Sequence, residues 1–157
     1  MIFVGEEDKS VFSFMERFAM VCEGVADLKN VKVVPSGPFI LSRTSFPEYF
    51  FKESDADIVE NVENDITFFA ERIAPYLSIS YRFVGEEPND SVTNEYNLAM
   101  KRILPKYGIE LVEIPRKEQD NTYISASLVR KYLTDDDTMN LKKLVPESTV
   151  KILFGSD

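Results

Sequence analysis

The chain has 157 residues, the size of one ordinary domain, with 44% hydrophobic and 29% charged side chains, a soluble globular balance unlike that of a disordered chain. Its 18 basic and 27 acidic side chains leave a net charge of −9, which argues against generic nucleic-acid binding, since that rests on basic surface. Histidine is absent, which removes Ser/His triads and the usual zinc sites, and the single cysteine, Cys22, excludes an intrachain disulfide.

Ile2-Phe3-Val4 reads as a strand closed by Gly5. Ser13 and Glu16 fit a capping box, after which Phe14, Phe18, Val21 and Cys22 recur at helical spacing until Gly24. Cys22 on that apolar face reads as packing. Val31-Lys32-Val33-Val34 is the next strand, ended by the turn Pro35-Ser36-Gly37-Pro38, and residues 39–42 read as a further short strand. Ile58, Val62, Ile66, Phe69 and Ile73 predict a long helix over 57–76, broken near Pro75. A strand at 79–84, a helix at 92–104 and a strand at 109–114 follow. Helices are expected at 125–133 and 140–144, and the apolar run 150–154 reads as a last strand or an extended tail.

Strand and helix take turns, with connections too long for hairpins. That predicts a doubly wound α/β fold, a mostly parallel sheet with helices on both faces. No linker rich in Gly, Ser or Pro divides the chain, so residues 1–157 read as one domain. The apolar runs are too short for a membrane helix and no basic-then-apolar leader is evident, which with the lone cysteine gives a cytoplasmic expectation.

Two features point to a ligand. Phe3-Val4-Gly5-Glu6-Glu7 recurs as Phe83-Val84-Gly85-Glu86-Glu87, each at a strand's end, where open α/β sheets bind their ligands. The alternative is two ordinary strand exits with solubilising charges. The second feature is Ile124-Ser125-Ala126-Ser127-Leu128-Val129-Arg130. Two hydroxyls and a guanidinium at a helix start suit a polyphosphate, because the exposed N–H groups and the helix dipole favour negative charge. An ordinary serine N-cap is the alternative.

That second segment resembles the Ile-Ser-[Ser/Ala]-[Ser/Thr]-x-Val-Arg signature of the nucleotidyltransferase superfamily. Three further stretches narrow the likeness: Ser36-Gly37 with Leu41-Ser42-Arg43-Thr44-Ser45-Phe46-Pro47-Glu48-Tyr49-Phe50-Phe51-Lys52; Arg82 to Pro88 with Val92-Thr93 and Tyr96-Asn97; and Ile109 to Ile114 with Leu144-Val145-Pro146. In order and over nearly the whole chain, they resemble citrate lyase ligase, in its C-terminal, Rossmann-like domain.

The resemblance implies an AMP-forming acid–thiol ligase, in which ATP with Mg²⁺ and acetate give acetyl-adenylate. The acetyl group then passes to the phosphoribosyl-dephospho-CoA thiol on the acyl carrier subunit of citrate lyase. It implies ATP binding by Ser125, Ser127 and Arg130 at the phosphates and by Gly85, Glu86 and Glu87 near the adenosine. Arg43, Thr44 and Lys52 are implied for the anionic substrates, with Phe46 shaping the pocket mouth. The two cations also fit a reading as plain surface charges, and Phe46 one as a core aromatic. Arg17 reads as a helix-surface ion pair or a phosphate contact. Glu6, Glu7 and Glu86 are acids near the metal, yet no protein ligand to Mg²⁺ is assigned, because ATP-bound magnesium keeps waters and phosphates as ligands.

The departure from the family is that no His-x-Gly-His loop is present, and Ile2-Phe3-Val4 corresponds to the family's second strand. The expectation is a truncated domain that binds nucleotide but is catalytically incomplete alone, with unpaired edges on the strands flanking the missing central one. A trimmed protein that re-pairs its strands, or dimerises through exposed sheet edges, is the alternative. Two other functions stay open. One is an adenylyltransferase of the phosphopantetheine or NMN type, and the other a non-catalytic module that docks on citrate lyase.

Overall fold

The structure is a computed structural model that describes residues 1–6, 11–40, 55–88, 90–119 and 122–155. The fold is α/β, and the chain divides into two compact units, residues 1–35 with 117–157 and residues 36–116.

In the first unit β1 (Ile2–Val4) pairs in parallel with β2 (Val33–Pro35), in the register Ile2 to Val33 and Val4 to Pro35. Helix α1 (Phe14–Gly24) makes the crossover between them and packs on both strands. Its start follows the sequence: Ser13 Oγ accepts the Glu16 N–H at 3.3 Å, and the Glu16 carboxylate accepts the Ser13 N–H at 2.7 Å. That reciprocal box satisfies two donors that a bare helix start leaves open.

The second unit holds α2 (Asp55–Phe68), β3 (Tyr81–Gly85), α3 (Ser91–Ile103) and β4 (Glu110–Ile114). β3 and β4 are parallel, from Tyr81 opposite Glu110 to Gly85 opposite Ile114. Helix α3 makes the crossover, opened by Asp90, whose carboxylate accepts the Thr93 N–H at 2.8 Å. A 3₁₀ turn, Leu104–Tyr107, and Gly108 at φ 71° lead from α3 into β4. Glycine suits that left-handed position because it has no Cβ to clash.

Most of the buried apolar side chains among the described residues lie in this unit. Val62, Ile66 and Phe69 from the α2 side meet Tyr96, Ala99, Met100 and Ile103 of α3. Fully burying each large side chain contributes about 1.5–3 kcal/mol relative to leaving it in water. The other face of the β3–β4 pair is open, with Tyr81 54% and Phe83 64% exposed.

Returning to the first unit, a two-stranded antiparallel ribbon, β5 (Glu118–Gln119) with β6 (Thr122–Tyr123), precedes α4 (Ala126–Thr134), α5 (Thr138–Leu144) and α6 (Glu147–Phe154). Helix α6 packs against α1.

Both larger strand pairs are parallel, as the alternation of elements predicts. β1 and β3 share no ladder, so the described strands form separate two-stranded sheets. Three expectations need correction. Residues 147–154 are helix, because Glu147 in the first turn and its 3.1 Å pair with Lys151 favour a helix over the strand suggested by Val150 and Ile152. The turn expected at 35–38 is present as the 3₁₀ turn Gly37–Phe39, with Gly37 at φ 64°, and it takes in Phe39, where the strand was expected to start; Leu41 and Ser42 lie outside the described residues. The long helix does not end in a simple break at Pro75: Phe69–Ile73 widens into a π-helical turn, with the Ala74 N–H donating to the Phe69 carbonyl at 2.9 Å.

Candidate functional site

The candidate residues fall in both units, and the arrangement within each is clear. At the carboxyl end of β3 the chain turns through Gly85, Glu86 and Glu87. The Glu86 N–H donates to the Ile114 carbonyl at 2.9 Å, carrying the β3–β4 ladder one residue past the strand. Asn97, buried on α3, donates its side-chain N–H to the Gly85 carbonyl at 2.9 Å. Arg116, just past β4, closes the turn from the other side. Its backbone N–H donates to Glu86 Oε2 at 3.3 Å, and its guanidinium pairs with the Glu87 carboxylate. A Cβ on Gly85 would meet nothing within 4 Å among the described residues, so there is room beside the turn at this point.

Beneath the turn lies a polar cluster inside an apolar core. Arg82 lies 4.3 Å from the Phe69 ring centroid and donates to the Tyr96 hydroxyl at 3.4 Å, while Tyr96 donates to the buried Asp65. Burial pushes the Tyr96 hydroxyl well above the ordinary tyrosine range; the Arg82 charge opposes that shift and the Asp65 charge adds to it. Tyr96 and Asn97 are neighbours on α3, so one helical turn both anchors this cluster and holds the Gly85 carbonyl. The cluster is thereby joined through α3 to the strand exit, as its floor.

In the other unit, Ser125 is the N-cap of α4: its Oγ accepts the Leu128 N–H at 3.1 Å. The capping role foreseen as the alternative for Ser125 is therefore present. Ser127 is exposed in the first turn, and Arg130 Nη2 donates to its Oγ at 3.1 Å. A hydroxyl, a guanidinium and helix-start N–H groups thus stand together. Such a set can accept an oxyanion in place of the Arg130–Ser127 bond, because an ionic acceptor adds Coulomb attraction to the guanidinium's hydrogen bond and can take two N–H groups at once.

Arg17 lies on α1 and makes two contacts to backbone among the described residues. It donates to the Gly5 carbonyl at 2.7 Å and to the Phe12 carbonyl at 3.2 Å, tying the exit of β1 to the start of α1. Arg43, Thr44, Phe46, Lys52 and Glu7 lie outside the described residues. Arg116 and Asn97 carry parts of the site that the sequence reading did not assign. Arg116 follows Pro115 with no spacing signal, and its acidic partner is 29 residues away. Asn97 follows Tyr96 within a recognisable stretch, which was the available clue. A shallow cleft of about 390 Å³ lined by Lys101, Pro105, Gly108 and Ile109 opens at the amino end of β4, away from the strand exits. Among the described residues, no group of three or more His, Cys, Asp or Glu is arranged to hold a metal ion. No described helix is long and apolar enough to cross a membrane.

The family model for the citrate lyase ligase C-terminal domain matches residues 1–153. The chain belongs to the citrate lyase ligase family. It is 40% identical to the [citrate [pro-3S]-lyase] ligase of Haemophilus influenzae, over 97% of this chain and 47% of that protein. With the ligase of Klebsiella pneumoniae it shares 36% identity over 98% of this chain and 46% of the relative. With that of Escherichia coli it shares 38%, over 97% and 45%. The chain therefore spans about half the length of the curated relatives it matches. No solved structure matches it.

Proposed function

We propose that this citrate lyase ligase chain binds the nucleotide in an AMP-forming acid–thiol ligation that activates citrate lyase. Ser127 and Arg130 at the start of α4, with Ser125 capping the helix, take the phosphates of ATP, which brings its Mg²⁺ with it. Gly85 and Glu86 take the adenosine, with Glu87 beside them in the same turn. Arg43, Thr44 and Lys52, with Phe46, take the acid. An acetate oxygen attacks the α-phosphorus, and the pyrophosphate that leaves carries its charge toward Arg130. The thiolate of the carrier's phosphoribosyl-dephospho-CoA group then attacks the acyl carbon and AMP departs. Charge stabilisation at the phosphorus is usually the largest catalytic contribution in such a step. The family's His-x-Gly-His groups would provide it, so the chain alone binds nucleotide without turning it over.

The observation that carries this reading is the exposed Ser127–Arg130 pair at a helix start in a chain of this family. Acetyl-sulfamoyladenosine, a stable mimic of acetyl-adenylate, separates the reading from its rivals. An acid-activating ligase binds it more tightly than AMP and ignores phosphopantetheine. Tighter binding of phosphopantetheine would favour the adenylyltransferase. No binding of any of these nucleotides, with capture of the carrier subunit retained, would favour a docking module.

A further inference from the structure

The Gly85–Glu87 turn presents an electrostatic difficulty to any nucleotide. Glu86 and Glu87 place two carboxylates at the exit of β3, in a chain of net charge −9, while the ligand brings negative charges of its own. Like charges at short range repel, and physiological salt screens only beyond about 8 Å.

Arg116 offsets one of the two. Its guanidinium pairs with the Glu87 carboxylate, and Nη1 lies 3.5 Å from the Glu86 carbonyl oxygen. The side chains of Arg116 and Glu87 are 19% and 18% exposed, so water weakens this pair less than the open Lys151–Glu147 pair, at 59% and 83%. Glu86, by contrast, stays exposed, and its carboxylate accepts the Arg116 backbone N–H at 3.3 Å. The two neighbouring acids therefore have different surroundings.

We infer that Arg116 is a positioning residue for nucleotide binding: it holds the Glu87 carboxylate away from the ligand and halves the negative charge of the turn, leaving Glu86 and the Gly85 backbone open to the nucleoside. The inference rests on the nucleotide reading above and gives Glu87 a partner inside the protein in place of a ligand contact. Its consequence depends on ligand charge. Without Arg116 the turn carries one more net negative charge, which MgATP feels and adenosine, which is uncharged, does not.

Calorimetric titration of the full chain with MgATP and with adenosine tests this. Arg116→Ala weakens MgATP about tenfold, the scale of one added negative charge nearby, and adenosine less than about twofold. The double variant Glu87→Gln with Arg116→Ala returns MgATP to within about threefold of wild type, because the repelling charge is gone. Arg116→Gln gives the same MgATP-specific loss while keeping donors for the Glu86 carbonyl, which covers the case of a poorly folded alanine variant. Equal losses for both ligands, or no recovery in the double variant, would overturn the inference. Wild-type MgATP affinity in both single variants would overturn it alone and leave the nucleotide reading intact. Absence of MgATP binding to the wild-type chain would overturn that reading and this inference with it.

Discussion

The Tyr96 hydroxyl donates to the Asp65 carboxylate, joining α3 to α2 through two side chains that are each only 5% exposed. A buried polar pair of this kind stabilises only while both partners are present, because the survivor keeps the cost of its lost hydration. Tyr96→Phe deprives the buried carboxylate of one donor and should destabilise the fold by about 1–3 kcal/mol, read by urea unfolding at pH 8.

The same pair sets an alkaline limit. Burial raises the Tyr96 pKa above its ordinary value of 10.0, so the unfolded chain ionises this group first. The stability it contributes is complete below pH 10 and is lost as pH rises beyond that. The gap between wild type and Tyr96→Phe should therefore narrow from pH 10 upward. A gap that stays constant from pH 8 to pH 11 would rule out a buried, neutral Tyr96.

Asn97 links this floor to the candidate turn through its bond to the Gly85 carbonyl. Asn97→Leu fits the apolar surroundings but leaves that carbonyl without the side-chain donor. A loss of about 1–2 kcal/mol is expected, together with faster amide exchange at Glu86 and Glu87. Exchange unchanged at those two residues would show that α3 does not hold the turn.

Much of this was legible in local sequence and some was not. Ser13 with Glu16 announces α1, because a cap acts within one turn and its residues are neighbours in the chain. The helix at Glu147–Phe154 was hidden by β-branched Val150 and Ile152, whose strand preference is overridden by packing of α6 against α1. The π-helical turn at Phe69–Ile73 keeps the apolar spacing of an α-helix and leaves no local signature. At the site, Ser125 was readable as a cap from its position alone. Arg116 was not, since its importance comes from the parallel register that brings the exits of β3 and β4 side by side.

Asp137 caps α5, accepting the Asn140 backbone N–H at 3.1 Å and its side-chain N–H at 2.8 Å. These bonds, the side-chain one foremost, hold its carboxyl below the ordinary value of 3.8, so the stability it supplies is present above that pH and lost on further acidification. Asp137→Asn keeps a capping oxygen without the charge. It should melt below wild type at pH 7, and the difference should shrink as pH falls under 3.8. A difference as large under pH 3 as at pH 7 would contradict the assignment.

The central claim is that the start of α4 grips the phosphates of a nucleotide, and calorimetric titration with MgATP, wild type beside Arg130→Ala, tests it most directly. A hydrogen bond to a charged group is worth about 1.5–3 kcal/mol, so the variant should bind at least about tenfold more weakly, with adenosine affinity unchanged. Identical heats for the two proteins would contradict the claim.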